Sequence, residues 1–136
     1  MYNWKLRRFF DTERGFTMYV RAIRGATTVQ NDTPNEVLSE TKRLLEIMAE
    51  ENQIHHDDII SILFTTTEDI KSVFPAAAAR ELGWTDVALM CAAEINIVDG
   101  LKKCIRVMMH INTPKTNTEI NYVYLNEAKR LRPDLN

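Results

Sequence analysis

The sequence predicts an α+β fold: a mixed sheet of about five strands packed against one long and one short helix. Three observations predict it. The stretches 18–25, 58–65 and 103–111 are apolar and rich in β-branched residues, as strands are. A capped segment starting at Asp32 repeats its apolar residues at helical spacing. An alanine run behind Pro75 stops at Gly83, the pattern of a short helix with a glycine end.

Taken in order, Met18 to Gly25 (MYVRAIRG) reads as the first strand. It sets Val20, Ala22 and Arg24 on one face and Tyr19, Arg21 and Ile23 on the other. Gly25 is then expected to turn the chain. Thr33 and Glu36 have the spacing of a capping box, and Pro34 suits the first helical position. The long helix carries Val37, Thr41, Leu44, Leu45 and Met48 as its core stripe and fades near Glu51-Asn52. Asp58 to Thr65 is a mostly buried strand, broken by Thr66-Thr67-Glu68-Asp69. Val87 to Val98 is expected as a long strand. Asp99-Gly100 then reads as a two-residue hairpin turn that returns the 103–111 strand antiparallel. A last strand is expected at Tyr122 to Leu125, ahead of an irregular tail at 131–134.

Residues 1–17 differ from the rest. They mix Lys5, Arg7, Arg8 and Arg14 with Trp4, Phe9, Phe10 and Phe16, without alternation or a helical stripe. They lack the uninterrupted apolar core of a signal peptide. The expectation is an N-terminal extension over 1–17 and a single domain over 18–136.

Composition narrows the function. Seventeen Lys and Arg against nineteen Asp and Glu leave a formal charge of −2, which argues against a nucleic-acid partner. No run approaches the roughly 18 apolar residues of a membrane span. Two cysteines, Cys91 and Cys104, are too few for a disulfide scaffold and fit a reducing, cytoplasmic setting. His55, His56 and His110 show no metal-ligand spacing, so neither a metal nor another cofactor is expected.

The informative residue is Arg106, which sits inside KCIRVMMHI among apolar neighbours. An unpaired buried guanidinium costs several kcal/mol or more, so it is exposed, paired, or set to receive an anion. The expected hairpin pairs Arg106 with Ala93 and puts Glu94 beside that partner. A bulge there brings Glu94 opposite Arg106, with Cβ atoms roughly 5 Å apart. Its own face carries Cys104, Met108 and His110, a poor solvent face, and Arg24 ends another strand in the same way. Cys91 and Glu94 have opposite parity, so only a bulge or a strand end aims both at one place. Two arginines, a carboxylate, a thiol and Tyr124 would then form a polar pocket for a small dianion bearing a hydroxyl.

At these residues the sequence resembles a known family. VRAIRGATTV, the DTP helix start, VFPAAAARELGW, CAAE, LKKCIRVMMHIN, VYL and LRPDL recur in this order in the small α/β monofunctional chorismate mutases. The similarity spans Met18 to Leu135, and its specificity lies in the ordered set. It implies rearrangement of chorismate to prephenate in aromatic amino-acid biosynthesis, by a homotrimeric barrel with sites between subunits. By motif position, Arg24 resembles the arginine that holds a substrate carboxylate, and Tyr124 the tyrosine that assists it. Arg106 resembles the arginine that faces the ether oxygen, while Glu94 and Cys91 resemble the groups that meet the ring hydroxyl. Phe74 and Arg80 resemble a neighbouring subunit's contribution, and Arg132 a tail residue that closes the site. The sequence departs from the pattern at Ala77, where some relatives carry lysine, and in shorter links around ELGW and Thr113-Pro114.

Two other readings stay open from the residues alone. One is a small trimeric enamine/imine deaminase-like enzyme, against which Glu94 beside Arg106 counts. The other is a metabolite-binding module without turnover.

Overall fold

A computed structural model describes residues 17–135, so the expected extension over 1–17 lies, apart from Thr17, outside the described residues. The elements are β1 (Tyr19–Thr28), α1 (Pro34–Glu51), β2 (Ile59–Thr66), α2 (Ala76–Glu81), β3 (Ala88–Ala93), β4 (Cys104–Thr113) and β5 (Val123–Tyr124). Short 3-10 turns fill much of the remainder. The strands form one five-stranded mixed sheet in the order β3-β2-β4-β1-β5. β4 runs antiparallel to both of its neighbours, while the outer pairs β3/β2 and β5/β1 are parallel. The expected α+β class and element order are observed.

The long helix forms for the reasons its sequence carries. Thr33 Oγ1 accepts the N–H of Glu36 at 3.2 Å, and Pro34 begins the first turn. Glu36 does not close a reciprocal box on Thr33. Its carboxylate reaches further back and accepts the N–H groups of Gln30 at 2.6 Å and Asn31 at 3.2 Å. The stripe Val37, Thr41, Leu44, Leu45 and Met48 is fully buried. Leu44, Leu45 and Met48 pack with Ile23, Ile62, Phe64, Val107 and Met109 from the sheet, and Val37 with Val29, Ile70 and Ile105. Asn52 ends the helix in a buried clamp, donating to Met48 O and Asn121 O and accepting from Asn121 N–H at 2.8 Å. In α2 the alanines lie flat against the core, and Gly83, at φ 85°, closes the helix with its N–H on Arg80 O.

Two expectations are corrected. Gly25 does not turn the chain: β1 runs on through it to Thr28. Its role is close approach, because a Cβ there would lie 2.5 Å from Met48 Sδ. The Asp99-Gly100 hairpin is also absent. The turn itself exists, with Asp99 at φ 60° and Gly100 N–H bonded to Ile97 O, yet it lies within the loop 94–103. β3 stops at Ala93 and pairs with β2, not with β4. The crossover through α2 returns the chain parallel to β2 on its outer side. β4 must then cross to the other side of β2, which a two-residue turn cannot span.

Candidate active site

Pairing registers put one residue from each strand into a single row: Ala92, Thr65, Arg106, Ala26 and Tyr124. Paired residues share a face, and this is the sheet face turned away from the helices. The next row on the same face holds Met90, Leu63, Met108 and Arg24. Arg106 and Tyr124 flank the small Ala26, two strand spacings or about 10 Å apart. Arg24, Glu94 and Arg106 line one open cleft of about 420 Å³, with Leu63, Thr65 and Met108 as part of its wall.

Glu94 arrives by a route the hairpin expectation did not contain. Its N–H donates to Thr66 O at 3.0 Å, which docks the chain at the end of β3. From that strand end its carboxylate folds over Thr65, whose hydroxyl donates to Oε1 at 2.7 Å. Arg106 Nε lies 3.0 Å from the same oxygen. That Nε is buried, and its N–H makes no hydrogen bond, so the contact is an ion pair by distance rather than an aligned bond. The Glu94 side chain is 10% exposed and that of Arg106 38%, so the pair sits at the cleft floor with one edge open. Arg24 is half-buried and has no hydrogen-bond or ion-pair partner among the described residues.

The start of β4 is fixed separately. Thr67 Oγ1 accepts the Cys104 N–H at 2.9 Å and donates to Asp69, whose carboxylate also takes the Lys103 N–H at 3.0 Å. Asp32 does the same for the following loop, accepting from Lys71 and Ser72 N–H, and the nearby Ser72 side chain, with these backbone bonds, holds its carboxyl below the usual range. The sequence reading treated 66–69 only as a strand breaker and missed this clamp, because no spacing marks it. Burial pushes the Cys104 thiol up to about 11, with Glu94 adding to the shift and Arg106 opposing it.

The remaining candidates do not gather in that cleft. Cys91 pairs with Phe64 on the helix-side face, opposite to Arg106. It lines a second hollow of about 550 Å³ with Phe74, Pro75 and Ala93. β3 does end between Cys91 and Glu94, as their parity requires, but the end separates the two side chains by face. Phe74 is 71% exposed. Arg80 is exposed on α2, whose other surface is tied to α1 by the Lys42–Glu81 ion pair at 2.7 Å. Tyr124 is buried against Ala26, Cys104 and Ala128. Arg132 lies over the Tyr122 ring and forms a two-pronged pair with Asp134 at 3.1 and 2.9 Å, which raises its pKa further.

One group departs from the histidine expectation. Ligand atoms of His55, His56 and Asp57 lie within 4.8 Å of one another on an exposed 3-10 turn. They bond to each other, His55 Nδ1 accepting the Asp57 N–H at 3.2 Å, and they do not line the Arg106 cleft. No helix among the described residues is long and apolar enough to cross a membrane.

Residues 20–135 match the family model for chorismate mutase type I. The chain belongs to that family. It is accordingly a chorismate mutase, an isomerase of aromatic biosynthesis. The chain is similar to the chorismate mutase AroH of Bacillus subtilis, with 49% identity over 119 residues, or 87% of this chain and 94% of that one. The AroH chorismate mutase of Thermus thermophilus is 44% identical over 117 residues, covering 85% and 96% of the two chains. A solved chorismate mutase from Clostridium thermocellum superimposes with a TM-score of 0.80 at 56% identity, covering 81% of this chain and 98% of that one. The mutase assignment sets aside the deaminase and binding-module readings.

Proposed function

We propose that this mutase converts chorismate to prephenate by conformational restraint and charge stabilisation, with Arg106 facing the ether oxygen. The observation that carries this reading is the half-open Arg106, its Nε beside Glu94 Oε1, on the wall of the cleft that Arg24 also lines. A [3,3]-sigmatropic rearrangement needs no nucleophile, metal or proton transfer. It needs a flexible dianion held in a chair-like shape, and fixed cations do that. Arg24 holds one carboxylate, assisted by Tyr124. As the C–O bond breaks ahead of C–C formation, negative charge grows on the ether oxygen. A fixed guanidinium there binds the transition state better than the substrate. Glu94 meets the ring hydroxyl.

The site is shared between subunits of a homotrimer. Two features of the single chain support this. Leu63, Met90 and Arg24 stand on a sheet face without a helix layer, and the side chains assigned to substrate are spread over two hollows. Phe74 and Arg80 from a neighbouring copy complete the cleft, and Arg132 closes it from the tail. The catalytic domain spans 18–136, and the enzyme works in the cytoplasm without metal or other cofactor.

The test is loss of chorismate absorbance with formation of prephenate, in chelator and without added cofactor. Arg106→Lys is the decisive variant, since a compact ammonium cannot reproduce the planar fork. Turnover near that of the parent in the lysine variant overturns the role given to Arg106.

A further inference from the structure

Glu94 and Arg106 raise a problem that their proximity alone does not solve. A carboxylate and a guanidinium in a half-buried cleft prefer a side-on pair with two parallel hydrogen bonds. That pair would consume the guanidinium edge which the reaction needs. The observed geometry is different: the closest approach is Nε to Oε1 at 3.0 Å, without an aligned bond, and no carboxylate among the described residues makes a hydrogen bond to the terminal nitrogens.

Something keeps the carboxylate off that edge. Thr65 is the group placed to do so. It is the β2 residue directly across from Arg106, and its other neighbour in the row is Ala92, too small to interfere. Its hydroxyl bonds to Glu94 Oε1 at 2.7 Å, the shortest contact that carboxylate makes. The Glu94 backbone is held independently by Thr66 O, so the hydroxyl sets the side chain's direction rather than the chain's path. One oxygen is thus shared between the Thr65 hydroxyl and Nε. The other carboxylate oxygen makes no hydrogen bond to the terminal guanidinium nitrogens.

We propose that Thr65 is a positioning residue for the rearrangement: it holds the Glu94 carboxylate so that Arg106 keeps its terminal nitrogens for the substrate. The inference rests on the role given to Arg106 above. Without the hydroxyl, Glu94 turns onto the guanidinium edge and the two close into a side-on pair. Substrate must then break that pair at the moment charge develops, so the loss falls on turnover more than on binding.

Thr65→Val is the variant to measure, because valine keeps the β-branched shape and suits a strand. The expected result is a kcat about 10–100-fold lower with KM changed much less, the scale of a hydrogen bond to a charged group. Thr65→Ser restores most of the loss, since its hydroxyl reaches the same oxygen. In an Arg106→Ala background, Thr65→Val costs much less than in the parent, because Thr65 acts chiefly through that arginine. Parental kcat in Thr65→Val, or a serine variant as poor as valine, overturns the proposal. So does an undiminished loss in the Arg106→Ala background. If Arg106→Ala itself keeps full turnover, the reading of Arg106 falls instead, and the two failures are told apart.

Discussion

The two faces of the sheet are built from the same strands and meet opposite fates. On the helix side, Ile23, Ile62, Phe64, Val107, Met109 and Ile111 are at most 1% exposed. One residue along each strand, Arg24, Leu63, Arg106 and Met108 look the other way into an open cleft. From Ile105 onward β4 alternates without a break: Val107 and Met109 are sealed, while Arg106, Met108 and His110 are half-open. The period of two thus separates folding from chemistry within a single strand. A core residue and a site residue can be adjacent without sharing a function.

Substitutions on either side test that separation. The largest expected effect is on the helix face, where Phe64→Ala costs about 3–5 kcal/mol of stability by leaving a cavity in a filled core. Denaturant unfolding should show it, and a surviving fraction that is folded should keep normal kcat. Arg106→Ala should do the reverse, with kcat lower by about 10²–10³-fold, as on removing one oxyanion donor. Its unfolding midpoint should stay near that of the parent. A large stability loss in Arg106→Ala would mean that the ion pair with Glu94 serves the fold, and the two faces are not separable.

How much of this was legible in the sequence divides along the same line. The helix stripe and the approximate strand positions follow from local spacing, and the family follows from ordered motifs. Strand partnership does not, because it depends on which edge each connection reaches. Asp99-Gly100 carries a true turn signal, yet the α2 crossover had already placed β3 on the far side of β2. The pairing of Arg106 with Ala93 was therefore wrong, although Glu94 still reaches Arg106 from the strand end. Thr65 and the Thr67–Asp69 clamp were invisible for a related reason: their partners are 29 to 37 residues away and no spacing links them.

The proposal that a second copy completes the cleft makes a prediction of intermediate size. Arg106→Ala and Arg80→Ala enzymes should each be impaired, since one removes the floor and the other the neighbour's contribution. The interface in a ring of three is heterologous, so each cleft takes one face from each neighbour. Refolded together in equal amounts, the variants restore a cleft only where both faces come from the unaltered sides. Random assembly does this in ½ × ½, or roughly a quarter, of the clefts. Activity at about a quarter of the parent's is expected. Activity equal to the mean of the separate variants would place both residues within one subunit.

The smallest expected effect concerns a side chain of the open face that is sealed. Cys104 is 1% exposed, packed against Ala26, Tyr124 and Ala128 at the start of β4. Burial is the main cause that raises its thiol from 9.0 to about 11, and the nearby Glu94 carboxylate adds to it. A thiol is neutral when protonated, so the raised value means that folding favours the protonated form. Its contribution is complete below the unfolded value near 9.0 and is lost as pH rises through about 11. Melting temperature should therefore fall between those two values, and Cys104→Ala should remove that part of the slope even if it lowers stability overall. Subtracting the two profiles isolates the thiol from lysines and tyrosines that titrate nearby. The same burial keeps Cys104 out of the chemistry, and no histidine is assigned to it, so kcat should vary little between about pH 6 and 8. Parallel melting profiles from 9 to 11 would mean that Cys104 titrates as a solvated thiol does, and that this corner of the open face is not closed after all.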